Sequence, residues 1–327
     1  MTTLRFSQSN PAPDIHADGF IETPDGFSIR YARFRTESHP ARGTVVVLQG
    51  RNETIEKYFE TVSDLLGAGF DIVAFDWRGQ GGSQRFFSRT DAGYIDSFEQ
   101  YATDLETVFE EVVLPDCRPP FFFLAHSTGA LVALYVAPSY VNRVRRMVLS
   151  APFMGLPASD LHHGFTRGAA KLMGFLGLGN LYISGGPAAR LRKPFEINPL
   201  TSDPARYARN IEIPTQYPDL GLGGPSASWI TAIFEAIEVV SDPAHMAQTT
   251  IPTLVLMAGD EQVVSNDAIA SLAGRLRSAS LLTIDGARHE MLQEADAYRE
   301  QFMAALRAFI PGSGEEPGLP LPVEASG

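Results

Sequence analysis

The 327-residue chain carries 26 Lys and Arg against 38 Asp and Glu, a formal net charge of −12. That balance argues against nucleic acid, whose phosphates call for clustered basic residues, and gives no electrostatic help on an anionic membrane. With 44% hydrophobic residues and one cysteine, Cys117, the chain reads as a globular protein of a reducing compartment, without an internal disulfide.

The start, "MTTLRFSQSNPAPDIHADGF", lacks a basic stretch followed by an apolar one, so no secretory signal is expected, and residues 1–18 read as a flexible segment. "GFIETPDGFSIRYARFR" follows, two alternating stretches around Pro24-Asp25-Gly26 that predict a β-hairpin. The pattern then changes. "TVVVLQ", "FDIVAF", "FFFLA" and "RMVLSA" are continuous apolar runs, as expected of strands buried on both faces of a parallel sheet. Helical patterns over 54–67, 96–113 and 128–137 separate them, and strand alternating with helix predicts a doubly wound α/β sheet.

From Phe153 to about Met246 the alternation stops, over a stretch too long to be a bare loop. One amphipathic helix is expected there from Leu161, Phe165, Ala169, Leu172 and Leu176, and another near "SASWITAIFEAIEVV". Apolar residues at that spacing ordinarily pack into a core, although the inner face of a lid would also suit an acyl chain. Alternation resumes with "TLVLMA", a helix from about Asn266, "SLLTI" and a closing helix "EADAYREQFMAALRAF". The organisation expected is a core of residues 19–152 and 247–310, a helical lid over 153–246, and a disordered Pro- and Gly-rich tail over 311–327. No apolar run reaches the roughly 20 residues of a membrane span, so a cytoplasmic protein is expected.

In "FFFLAHSTGALVAL" an apolar strand ends in Ser127 and a helix pattern follows at once. A serine there, with small residues two positions to either side, fits a nucleophile elbow, a turn so tight that bulk is excluded. Gly129 meets that requirement, and Ala125 adds a single methyl to it. The plainer alternative is a helix-capping serine. An acid and a histidine follow in the required chain order. His289 lies in "LLTIDGARHEMLQE", between the last strand and the last helix; "LMAGDEQVVSN" offers Asp260 and Glu261, of which Glu261 aligns better with an "xDRVVxN" pattern. The first oxyanion N–H would come from Thr128, after the nucleophile, and the second from Arg51 in "VVVLQGRNE", where Gly50 lets the chain turn.

Other motifs read as ordinary structure. "DWRGQGGS" lacks the Gly-Lys-Ser/Thr ending of a phosphate loop and predicts a tight turn. The adjacent His162 and His163 would point about 100° apart on a helix and make a poor metal pair. His126 is expected to pack behind its strand.

Together "LQGRNETIEKYFE", "FDWRGQGGS", "AHSTGA", "SAPF", "NPLTSDPARYARN", "AGDEQVVSN" and "GARHEML" resemble the α/β-hydrolase superfamily, and within it the bacterial lysophospholipase and monoacylglycerol lipase family, from about residue 20 to 310. The resemblance implies Ser127 as nucleophile, His289 as base, Glu261 as acid, and Arg51 and Thr128 as oxyanion donors. It implies hydrolysis of a fatty-acyl ester such as a lysophospholipid or monoacylglycerol, no cofactor, and transient contact with a membrane surface. Three departures stand out: Ala125 for the first elbow glycine, Gln49 for the histidine common before the oxyanion glycine, and glutamate as the acid. A general carboxylesterase, a proline-type aminopeptidase and a non-catalytic ligand-binding homologue remain as alternatives.

Overall fold

A computed structural model describes residues 2–88, 90–157, 160–188 and 193–310. The proposed tail over 311–327 lies outside the described residues, as do the side chains of Leu161, His162 and His163. Eight strands form one sheet in the order β1-β2-β4-β3-β5-β6-β7-β8. They are β1 (Ala17–Glu22), β2 (Ser28–Phe34), β3 (Thr44–Leu48), β4 (Asp71–Phe75), β5 (Phe121–His126), β6 (Val144–Ser150), β7 (Thr253–Ala258) and β8 (Ala279–Ile284). The hairpin strands β1 and β2 are antiparallel, β2 runs antiparallel to β4, and every remaining pair is parallel. β3, β4 and β5 are buried along their whole length, which is why their sequences are continuous apolar runs instead of alternating ones.

Helix α1 (Phe59–Gly67) packs on β4, and α2 (Glu99–Val108) continues through one wider turn to Asp116. α3 (Thr128–Tyr140) is almost wholly buried against β3, β5 and β6. Between β6 and β7 come α4 (Asp160–Phe175), α5 (Pro204–Gln216), α6 (Ala227–Ser241) and α7 (Pro243–Gln248). The chain closes with α8 (Asn266–Arg275) and α9 (Asp296–Phe309). Helix α5 is not among those expected from the sequence, and it accommodates two prolines, Pro204 and Pro214. Pro204 sits in the first turn, where no N–H is needed, and Asp203 caps the start by accepting from the Arg206 N–H.

Two findings differ from expectation. The segment before β1 is tied down: Leu4 is buried in the core, Thr3 bonds Asp18, and the buried Asn10 side chain donates to the Glu56 carbonyl at 2.9 Å. The apolar stripe of α4 does form a helix, but it is not packed into a core: Phe165 is 77% exposed and Leu172 59%. α6 meets the other side of α4, where Ala170 is buried and the Arg167–Glu238 and Lys171–Glu235 pairs lie. Helical spacing shows that a stripe exists, not what covers it. As expected, "DWRGQGGS" is a tight turn, with the Gln80 N–H donating to the Trp77 carbonyl and the Ser83 N–H to that of Gln80. Asp76 accepts from Arg30, Gln49 and the N–H groups of Ile55 and Gly82, which ties the turn to its surroundings. Burial pushes the Cys117 thiol up to about 11, which leaves it unreactive at neutral pH. Among the described residues no helix is long and apolar enough to cross a membrane.

Candidate active site

The loops that leave β3, β5, β7 and β8 all emerge at the carboxyl edge of the sheet, and they carry Arg51, Ser127, Glu261 and His289 respectively. β3 and β5 are parallel neighbours although β4 lies between them in sequence, so the direction in which successive strands are added across the sheet reverses there and a crevice opens. A cavity of about 940 Å³ occupies it, lined by Ser127, Thr128, His289, Arg51 and apolar side chains such as Phe153, Phe165, Trp229 and Ile230. Its volume suits a ligand the size of a lipid monomer.

Ser127 has φ 50° and ψ −114°, a strained conformation for a residue with a side chain. The strain is over-determined: the Ser127 N–H donates to Ser150, and its carbonyl accepts from Ala130, Leu131 and Phe153. Its side chain caps no helix N–H, so the capping alternative has no support. A Cβ at Gly129 would lie 2.1 Å from the Leu48 carbonyl oxygen, whereas the Ala125 methyl is accommodated in the buried end of β5.

His289 Nδ1 lies 2.9 Å from Glu261 Oε2, and the Glu261 side chain is fully buried. Its other oxygen accepts from the N–H groups of Val263 at 2.7 Å and Val264 at 3.2 Å. Burial by itself would raise the Glu261 pKa; His289 and the two backbone donors outweigh that and hold the carboxyl below its usual value. Asp260 points elsewhere, 52% exposed and 3.5 Å from Arg288. Geometry thus joins His289 to Glu261. Ser127 and His289 share the cavity without a side-chain hydrogen bond among the described residues, a looseness common in substrate-free sites.

Thr128 is the first residue of α3, so its N–H has no acceptor within the helix. Around Arg51 the flanking N–H groups are occupied: Gly50 donates to Glu53, and Asn52, at φ 60°, donates to Gln80. The Arg51 N–H finds no acceptor among the described residues.

A charged cluster beneath this loop went unnoticed in the sequence. Glu53 accepts from the Gly50 N–H at 2.5 Å, Tyr58 Oη at 2.6 Å and Lys57 Nζ at 2.6 Å, and lies 3.1 Å from His126 Nδ1. Lys57 also meets Glu290 at 2.6 Å. Burial would raise the Glu53 pKa, yet Lys57 and His126 keep it well below the usual range. Burial would lower that of His126, and the Glu53 carboxylate reverses this and raises it. His126 therefore does not sit behind its strand. It lines the cavity, its ring 4.8 Å from that of His289, with Nε2 3.3 Å from the His289 carbonyl. The only sequence signal was the Glu53, Lys57 spacing of one helical turn, which surface pairs share.

A mostly parallel sheet, a strained serine between strand and helix, and an acid–histidine pair on later strand ends define an α/β-hydrolase. Residues 39–296 match the family model described as serine aminopeptidase, S33. The chain belongs to that family of hydrolases. It is 31% identical over 291 residues to the probable lysophospholipase L2 of Haemophilus influenzae, covering 89% of this chain and 91% of the relative. It is also 31% identical over 306 residues to lysophospholipase L2 of Escherichia coli strain K12, covering 88% and 85%. The monoacylglycerol lipase structure from Paleococcus ferrophilus shares the fold, with a TM-score of 0.67 at 24% identity over 86% of this chain and 97% of that one.

Proposed function

We propose that the chain hydrolyses the acyl ester of a lysophospholipid, with Ser127 as nucleophile. His289, oriented by Glu261, takes the serine proton as Ser127 attacks the ester carbonyl. The Arg51 and Thr128 N–H groups receive the oxyanion. His289 then protonates the departing glycerol oxygen, and a water deprotonated by the same imidazole releases the fatty acid. The observation that carries this reading is the His289–Glu261 pair in one cavity with a strained Ser127. Residues 153–246 would act as the lid, whose Phe165 and Ala169 line the cavity where an acyl chain would lie. A peptide substrate is less well supported. An aminopeptidase needs a free carboxylate to hold the amine, but Glu53 and Glu290, the carboxylates lining the cavity, are already paired with Lys57 and His126. We place the enzyme in the cytoplasm, meeting its substrate at a membrane surface.

The test is fatty-acid release from lysophosphatidylcholine, monoacylglycerol and a short nitrophenyl ester, with Ser127→Ala as control. Long-chain release from the lysophospholipid that vanishes in the variant is expected. Turnover of the short ester alone would refute the lipid reading, and no turnover at all would refute the enzymatic one.

A further inference from the structure

Most buried arginines described in the body of the protein have an acid beside them, and Arg85, which forms no ion pair among the described residues, is held by the carbonyls of Gly79, Gly81, Asp219 and Gly221. Arg30 is clamped by Glu56 and Asp76, Arg78 by Asp104 and Asp25, and Arg299 by Asp64. Arg51 is different. Its guanidinium lies 5.3 Å from the Trp229 ring centroid, Nη2 donates to the Gly223 carbonyl, and Nε is buried with no partner. Among the described residues no carboxylate forms an ion pair with it. Burial pulls its pKa down to about 10, so it is still a cation at neutral pH. A buried charge held by one carbonyl and one ring is expensive unless a partner arrives.

The cavity's charge balance points the same way. Of its lining groups, Glu53 and Glu290 face Lys57 and His126, while Arg51 and Lys193 form no ion pair among the described residues. A chain of net charge −12 thus presents a cationic pocket beside its candidate nucleophile. A guanidinium is a planar fork of donors that matches phosphate oxygens.

We propose that the Arg51 side chain is the head-group element of the site, binding the phosphate of a lysophospholipid whose ester carbonyl lies at Ser127. The assignment rests on the lipid-ester reading above and deepens it. One residue then serves twice: its backbone N–H faces the oxyanion and its side chain the phosphate, a few bonds away along the same substrate. A monoacylglycerol, which has no charge, would leave the guanidinium unpaired.

The experiment uses Ser127→Ala protein, so that nothing is turned over. It compares binding of an alkyl-ether glycerol phosphate with the matching uncharged alkyl-ether glycerol, below their micellar concentrations, by tryptophan fluorescence. The phosphate-bearing ether should bind at least about tenfold more tightly, in line with a charged hydrogen-bonded pair. Arg51→Met should abolish that preference, and Arg51→Lys should restore part of it. Equal binding of the two ethers before any change at Arg51, or a preference that survives Arg51→Met, would overturn the proposal. So would loss of both ethers together in Arg51→Met, which would mark Arg51 as a strut for the Gly223 loop. Inorganic phosphate, titrated alone, should compete only weakly; competition as strong as that of the ether would assign the site to free phosphate instead. Because no turnover is needed, a failed release assay with the preference intact would sink the hydrolase reading and leave this one standing.

Discussion

Replacing Gly129 by alanine adds one methyl group, and the structure says where it would go. The new Cβ would stand 2.1 Å from the Leu48 carbonyl oxygen and 2.5 Å from that of Gln49, where contacts under 3.0 Å are essentially never seen. Both obstacles are backbone at the end of β3, so no side chain can rotate away. The elbow and the β3 loop would have to part by about 1 Å, and overpacking of this kind costs about 3 kcal/mol at the upper end of its usual range. For a domain of this size that is a melting temperature lower by roughly 4–5 °C. The same shift separates the two N–H groups proposed for the oxyanion, Arg51 after β3 and Thr128 after β5, and a 1 Å misplacement costs on the order of 100-fold in turnover. Gly129→Ala should therefore lose both stability and kcat on a nitrophenyl ester. Ala125→Gly, which only removes a methyl from the other side of the elbow, should lose far less turnover. Calorimetry and steady-state kinetics on the two variants decide the matter. A Gly129→Ala protein with ordinary melting and turnover would show that the elbow is not as tight as the close approach of α3 to β3 implies.

Glu261→Gln tests the acid. The Val263 and Val264 N–H groups should keep the amide oxygen where Oε1 sits, turning the NH₂ towards His289 Nδ1. That fixes the tautomer with its proton on Nε2, unable to act as base, and kcat should fall about 10³- to 10⁴-fold with folding preserved; a loss under tenfold would exclude Glu261. Glu53→Gln removes the charge and one of the two acceptor oxygens shared by Gly50, Tyr58, Lys57 and His126, and should cost about 3–5 kcal/mol, as breaking a buried ion pair does. The deficit has a pH window. Glu53 is held below its ordinary 4.5, so its contribution is present above that value and fades as pH falls through its depressed folded value. His126 is held above 6.5, so its share is complete below 6.5 and fades as pH rises through its raised folded value. The melting difference between the natural protein and Glu53→Gln should be largest between about pH 5 and 6.5; a pH-independent difference would show that the charges are not what Glu53 contributes.

Much of this was legible in the chain because the physics is local. A strand buried on both faces is apolar along most of its length, so β3, β4, β5 and the buried end of β6 announce themselves as runs, and the serine after "FFFLAH" marks the elbow. The order of serine, acid and histidine follows from successive strand ends of one parallel sheet. Periodicity also gave α4, but not its surroundings. Which side of α4 meets α6 depends on where α6 docks, and so the exposure of Phe165 and Leu172 was invisible.

What only the tertiary structure decided are matters of distance between residues far apart in sequence. Asp260 and Glu261 are adjacent and chemically alike, and a turn two residues long puts one on Arg288 and the other on His289. Glu53, Lys57, His126 and Glu290 come from three separate stretches and read singly as surface charges; packing makes them a buried network under the loop of Arg51. A charge's partner, or its lack of one, is set by the fold, because electrostatic energy depends on separation and burial while sequence records only identity and order.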